Sequence, residues 1–497
     1  MKNYNHLKKE FGHISQLTYL TRILGWEEAV TMPVGAGQSR AEAISTLKKL
    51  IHKMSISKKI GTLISQAKNE KLPSPLDEAN LRLTEKHYKS LSCVPSKLFE
   101  KSTKANLVAL QAWRKYKEQN NWKDYCSVIE KSFLLQKTIA EIKSQHLSLS
   151  PYNVLLDNFA PGLTRESIDK AFSPLLAEIL PLREKIIAYQ EKQVIPHKNF
   201  SLLRKEQKDL FTELLRKLYF DFEHGRFDDG AYIYCDGIAT DIRTTLKYND
   251  NNFLEGLFAI LHETGHAVYE QSTPKERCFQ LVGQPQCKLI HECMAFIYER
   301  EIGLSRPFFT GLYALLNKQI NVKQIFTEEE LYLNSIRIQK NSLIRITADE
   351  VNYPLHVILR YEIEKALFDG DIKMSDVPSL WNEKMMAYFG ISTKFNDKDG
   401  AMQDMHWPFG YFGYFPIYLC AQLMTPQLFN SFTKTTENFM VDIEKLEFGQ
   451  INHWLNENIY QYGGSKNYQE ILSLTGHHEL SHTHFIQSLK ARYLNIK

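Results

Sequence analysis

Apolar residues recur at spacings of three and four along most of this 497-residue chain, with charged residues between them. Residues 210–220 (LFTELLRKLYF) and 356–368 (HVILRYEIEKALF) are typical. Such stripes are buried only when helices pack on helices, so the periodicity predicts a mainly α fold. The breaks are short: KLPSPLD at 71–77, VIPHKNF at 194–200 around Pro196, and SRP at 305–307. No Gly/Ser linker, low-complexity tract or long internal repeat divides the pattern. Length alone allows about three average domains. The uninterrupted pattern instead predicts one large helical domain over residues 1–497, compatible with two lobes around a cleft.

One stretch departs from this habit. Residues 224–245, HGRFDDGAYIYCDGIATDIRTT, place Gly225, Gly230 and Gly237 between short β-branched or aromatic runs. That is a strand-and-turn signature, and it predicts a small antiparallel sheet immediately before the next helix. Residues 400–416 are also irregular, rich in glycine and aromatic side chains.

Composition excludes several classes. Sixty-one Lys+Arg against fifty-seven Asp+Glu leave a net charge of +4, and 43% of residues are hydrophobic. A disordered chain would be poorer in apolar residues. A nucleic-acid binder would carry a basic stripe that is missing here. The seven cysteines are scattered without a C-x-x-C pair, which predicts a reducing, cytoplasmic location rather than a disulfide scaffold. The N-terminus, MKNYNHLKKEFGHISQL, has no apolar core of a signal peptide. No run approaches the roughly 18 apolar residues of a membrane span.

The pentapeptide His262-Glu263-Thr264-Gly265-His266 is an H-E-x-x-H. Asn252 can cap a helix, with Glu255 as a capping-box partner, and Leu254, Leu257, Phe258 and Leu261 mark an apolar face. On such a helix His262 and His266 point about 40° apart, with Glu263 about 100° from the first. Two imidazoles then converge on a divalent metal, and the carboxylate stands where it can take a proton from water. Two histidines on a helix also occur as half-buried core residues.

A third ligand is required. The three-histidine continuation fails, because Tyr269 and Ser272 occupy its glycine and histidine positions. Glu292 and Glu299, seven residues apart in HECMAFIYE, share one helix face. Spacing leaves Glu292 open between ligand and ordinary carboxylate, and favours a solvated or supporting role for Glu299. A second H-E-x-x-H, His478 to His482, begins two residues after Gly476 and has no downstream carboxylate. Its flanks favour a solvated turn over a site.

Hydrolysis of a peptide also needs a grip and an electrophile stabiliser. Asp241-x-Arg243-x-Thr245 precedes the metal helix, Arg345 precedes Ala348-Asp349-Glu350, and Gln403-Asp404-Met405-His406-Trp407 leads into GYFGYFP. Arg243 or Arg345 can hold a C-terminal carboxylate bidentately, and His406 and Tyr414 can donate to an oxyanion. Each taken alone is more often structural, a buried Arg–Asp pair or an aromatic packing turn.

HETGH, DIRTT, the HE of HECMAFIYE, IRITADE, and GAMQDMHW followed by GYFGYFP resemble the ordered motif set of the carboxypeptidase Taq family. GWEEAVTMP at 25–33, LLDNFAPGLT at 155–164 and WLNENIYQYGG at 454–464 extend the resemblance to both ends. The resemblance selects the first H-E-x-x-H. It implies a helical metallocarboxypeptidase with a deep central groove, a homodimer that removes single C-terminal residues with broad specificity and generally spares proline. It further implies that His262, His266 and Glu292 bind zinc or sometimes cobalt, that Glu263 is the general base, and that Asp241, Arg243, Thr245, Arg345, Gln403, His406 and Tyr414 line the groove.

Three departures stand out. Tyr232-Ile233-Tyr234 replaces the family's His-Pro-Phe, Cys293-Met294-Ala295 its Ser-Gln-Ser, and Thr347 the glutamate before ADE. The metal and base positions survive, so altered substrate preference or rate is expected rather than a dead enzyme. The alternatives are an endo-oligopeptidase, or a non-catalytic peptide- or partner-binding descendant that keeps the metal for stability.

Overall fold

A computed structural model describes residues 1–193, 198–285 and 287–495. The break expected at Pro196 lies outside them. Helices dominate, as the periodicity requires. The helix Lys2–Val30 buries Tyr4, Leu7, Phe11 and Ile14 against Ile60, Leu63, Ile64 and Ala67 of the helix Lys58–Ala67. The expected breaks end or start helices. Pro75 opens the helix Pro75–Ser92, and Ser305 caps the helix Arg306–Gln319 by accepting the Phe308 N–H.

The described residues form two compact units. The first comprises Met1–Ser92, Ile195–Ile336 and Met424–Glu479; the second comprises Cys93–Val194, Arg337–Leu423 and Leu480–Lys497. Each is assembled from three separate stretches of chain, so no single cut in the sequence isolates either.

The first unit holds the sheet, made of β1 (Gly225–Asp229), β2 (Tyr234–Ile238) and β3 (Asp241–Leu246). It lies where expected but is mixed rather than antiparallel. The order is β1-β3-β2, with β2 antiparallel and β1 parallel to β3. Residues 230–233 carry the chain across the end of β3, so β1 and β2 flank it instead of pairing with each other. Gly230 makes this crossing possible, since a Cβ there would stand 2.6 Å from Thr245 Cβ.

The helix Phe253–Ser272 packs against β2, β3 and the helix Lys288–Phe296. Asn252 caps it by accepting the Leu254 N–H. Glu255 is not its capping-box partner: its carboxylate accepts from Asn249 Nδ2 instead, at 3.0 Å. Gly265 sits where the two helices meet. A Cβ at that position would lie 2.4 Å from Met294 O and 2.6 Å from Ala295 Cα.

In the second unit, the helix Tyr353–Asp369 is buried along nearly its whole length and ends at Gly370, whose φ of +84° suits glycine. Residues 400–414 form successive turns. None of the seven cysteines is joined in a disulfide. Among the described residues, no helix is long and apolar enough to cross a membrane.

Candidate metal centre and substrate-binding groups

Between Ile260 and Gln271 every residue is buried except His262, which is half-buried. One turn apart, His262 and His266 bring their Nε2 atoms within 3.2 Å of each other, and Glu292 Oε2 lies 3.7 Å from His262 Nε2. Ligand atoms held tetrahedrally at zinc distances are separated by about 3.3 Å. Two imidazole nitrogens and one carboxylate oxygen, all within 4.8 Å of one another, therefore already stand near three vertices of such a polyhedron. Two ring nitrogens this close satisfy each other only when one is protonated, whereas a shared cation satisfies both. The donor set fits a divalent metal.

The neighbouring contacts explain how the rings are aimed. Directly after the helix Lys288–Phe296 the chain widens into a π-turn, Ile297–Ile302, a distortion common at functional sites. It carries Glu299, whose Oε2 lies 2.7 Å from His262 Nδ1. An imidazole that gives its Nδ1 proton to a carboxylate presents a bare Nε2 to a metal. Glu299 thus takes the supporting role favoured for it. His266 is aligned differently, by stacking on the His291 ring at 4.0 Å. His291 in turn lies 3.2 Å from Glu270.

Electrostatics follow from burial and these carboxylates. Burial alone would lower the His262 pKa; the Glu299 hydrogen bond and the charges of Glu299, Glu263 and Glu292 outweigh it and push it up to about 9. Burial raises Glu263 to about 7, with Glu292 and Glu299 adding to the effect and His262 opposing it. A carboxyl poised there is matched to proton transfer near neutrality. Burial and the neighbouring His291 and His262 hold His266 well below its usual range, in the neutral, ligating form.

The other candidate residues divide into two groups. In the first unit, Asp241 and Arg243 pair with each other, Nε to Oδ1 at 2.5 Å and Nη2 to Oδ2 at 2.9 Å. Arg243 also stacks over Trp26 at 4.9 Å. Both line a cavity of about 590 Å³ with Tyr19, His224 and Arg226. Thr245 is completely buried and donates its hydroxyl to Tyr232 O at 2.7 Å. It fastens the strand crossing instead of facing a substrate.

In the second unit, Arg345 donates to Asp404 Oδ1 at 3.0 and 2.8 Å, and the fully buried Arg360 donates to Oδ2 at 2.7 Å. One carboxylate thus serves two guanidinium groups. Gln403 is spent on this scaffold: its Oε1 accepts the Arg345 backbone N–H at 2.9 Å, and its amide donates to Asp399 O at 2.7 Å. It orders the backbone at Arg345 and does not present a free amide. His406, pushed down to about 3 by burial and by Arg345, is neutral. Its Nε2 is 3.3 Å from Tyr418 Oη, while its buried Nδ1 has no protein partner among the described residues. Tyr414 is half-buried, with its ring 5.4 Å from that of His406.

The family departures have local explanations. Tyr232 and Tyr234 donate to Gly25 O at 3.4 Å and Arg22 O at 2.9 Å, fastening the hairpin to the helix Lys2–Val30. Met294 and Ala295 form the seat for Gly265. Thr347 is exposed. The second H-E-x-x-H is not helical: His478 and Glu479 lie in an exposed bend, and His482 pairs with Glu178 at 3.0 Å.

Arg360 and Glu364 carry no signal in the sequence. Their helix reads as ordinary amphipathic structure, and nothing in the spacing distinguishes a surface carboxylate from one buried among donors.

The chain is 30% identical to Trypanosoma cruzi metallocarboxypeptidase 1, whose structure superposes with a TM-score of 0.95 over 99% of both chains. It is 29% identical to carboxypeptidase 1 of Bacillus subtilis (strain 168), over 100% of this chain and 98% of that one. Thermostable carboxypeptidase 1 of Pyrococcus furiosus is 26% identical over 98% and 97% of the two chains. The profile of the Carboxypeptidase Taq (M32) metallopeptidases matches residues 6–493. With that profile spanning nearly its whole length, and with His262, His266 and Glu292 grouped where they could hold a metal ion, the chain belongs to the carboxypeptidase Taq (M32) family and is a metal-dependent carboxypeptidase.

Proposed function

We propose that this enzyme releases single amino acids from the free C-terminus of peptides, with Glu263 as general base. The observation that carries the reading is the 3.2 Å approach of the two imidazole Nε2 atoms, with Glu292 beside them and Glu263 on the same helix. His262, His266 and Glu292 hold the metal, zinc or alternatively cobalt, one per subunit. When bound, such a metal polarises a carbonyl and lowers the pKa of water towards 7. Glu263 takes the proton of the attacking water and returns it to the departing amine. Its raised pKa makes both transfers accessible near neutral pH.

Arg345 is the grip for the terminal carboxylate. Because Asp404 is shared with Arg360, Arg345 retains charge to offer an anion, and its rigid fork suits a carboxylate. His406, neutral and with Nδ1 unpaired, and Tyr414 supply hydrogen-bond donors to the developing oxyanion. Asp241 and Arg243, locked to each other on β3, offer a fixed polar surface to the peptide upstream of the cleaved bond. One domain carries the reaction, and the enzyme works as a cytoplasmic homodimer on peptides, without nucleic-acid or membrane partners.

A matched pair of peptides, one with a free C-terminus and one amidated, tests the specificity. The free peptide should lose one residue at a time, and the amidated one should be cut at least about tenfold more slowly. Equal cleavage of both, or internal fragments as first products, contradicts a carboxypeptidase and points to an endo-oligopeptidase.

A further inference from the structure

The loop that carries His406 and Tyr414 is tied near both ends to one carboxylate. Glu364 lies in the helix Tyr353–Asp369 and is completely buried. Its Oε1 accepts the Trp407 indole N–H at 2.7 Å. Its Oε2 accepts the Gly413 backbone N–H at 2.8 Å and the Tyr152 hydroxyl at 2.8 Å. A buried carboxylate is costly unless its oxygens are satisfied. Here three donors, not an ion pair, do so.

The two loop donors are placed tellingly. Trp407 directly follows His406, and Gly413 directly precedes Tyr414. Between them Tyr411 N–H donates to His406 O and Gly410 N–H to Trp407 O, both at 2.9 Å, so the loop folds on itself. Gly413 has φ +79°, and a Cβ there would lie 3.0 Å from Leu155 Cβ. That end is therefore pressed onto the helix Pro151–Phe159, which also supplies Tyr152 to Glu364 and Phe159 to the Tyr414 ring at 4.8 Å.

We propose that Glu364 is a positioning residue for peptide hydrolysis: by holding Trp407 on one oxygen and Gly413 on the other, it sets the separation and aim of His406 and Tyr414. The proposal rests on the reading above that these two side chains donate to the oxyanion. Glu364 is out of reach of substrate and acts only through the loop. Only a carboxylate fits. A glutamine has one oxygen and one NH₂, so in either orientation its NH₂ faces a donor, the Trp407 indole or the Gly413 amide. Glu364→Gln thus keeps the volume but breaks one tie.

The experiment compares E364Q, W407F and Y152F in the metal-loaded enzyme, with kcat and KM measured on a free-C-terminus peptide and normalised to bound metal. Melting temperatures are recorded for each. W407F removes the tie on Oε1 without touching the charge, and it serves if E364Q does not fold. Y152F removes the one donor that lies outside the loop. The expected result is a kcat at least about tenfold lower in E364Q and W407F, with KM within about threefold of the parent. Y152F should stay within about threefold on both constants, even if its melting temperature falls as far. E364D, which keeps two acceptor oxygens, should recover part of the E364Q loss.

Wild-type kcat in E364Q, or an equal loss in Y152F tracking melting temperature, overturns the positioning role and leaves a purely structural one. H406F and Y414F are run alongside. If both keep wild-type kcat, the oxyanion reading itself fails and takes the proposal with it. If they lose activity while E364Q does not, only the positioning role fails.

Discussion

His262 is the residue on which the centre turns, because two carboxylates of the following segment meet its two nitrogens. Glu292 lies 3.7 Å from Nε2 and Glu299 2.7 Å from Nδ1. Glu299→Gln replaces a charged acceptor by a neutral one, and metal affinity should fall about 10- to 100-fold, as measured by equilibrium dialysis. Proton competition follows from the same contacts. His262, raised to about 9, is protonated below that pH, and a metal must displace the proton. Apparent metal affinity should therefore climb from pH 6 to about 9 and then level off. In E299Q the plateau should begin at lower pH. A flat profile in the parent enzyme contradicts this assignment. At this scale the H-E-x-x-H was legible from spacing, and Glu292 only with the resemblance added. Thr245 and Gln403 were legible as motif members, but their burial and internal bonds were not, since a motif does not show which way a side chain turns.

Helices were the most legible elements, because a 3.6-residue stripe is local information. The sheet was half legible. Glycines and β-branched runs marked its strands, but the parallel pairing of β1 with β3 depends on a crossing over the strand end at Gly230. Neighbouring strands are otherwise expected to pair with each other. Gly265 is the clearest case of an element-level constraint hidden inside a motif. Its missing side chain lets the metal helix touch the Met294 backbone and brings Glu292 to the histidines. Gly265→Ala places a Cβ against backbone that cannot swing aside, so the helices must separate. The expected cost is about 1–3 kcal/mol, with loss of bound metal, read by thermal melting and metal analysis. Full metal occupancy in G265A would show that the close approach is dispensable.

At the scale of the molecule, length suggested about three domains, yet each compact unit is built from three stretches of chain. Such long-range assembly leaves no trace in local periodicity. Asp77 shows how it is held within the first unit. Its buried carboxylate receives Tyr4 at 3.0 Å, Ser74 at 2.7 Å and Arg277 at 3.0 Å. Burial opposes the charge, but these donors and the Arg277 charge outweigh it and hold the pKa down to about 2. A depressed carboxyl stabilises the fold above its unfolded value near 4, and that contribution is lost as pH falls through about 2. Asp77→Asn should cost on the order of 2 kcal/mol at neutral pH, with the gap to the parent closing between about pH 4 and 2. Denaturant melts across that range check it; a gap independent of pH contradicts the assignment.

If one metal and Glu263 together cleave the terminal peptide bond, Glu263→Gln removes the base and leaves the metal ligands in place. A mixed peptide library is incubated with parent and E263Q enzymes at equal bound metal, and one-residue truncations are counted by mass spectrometry. Steady loss of C-terminal residues is expected with the parent, and a rate lower by about 100-fold or more with E263Q. Equal truncation by the two proteins would contradict it.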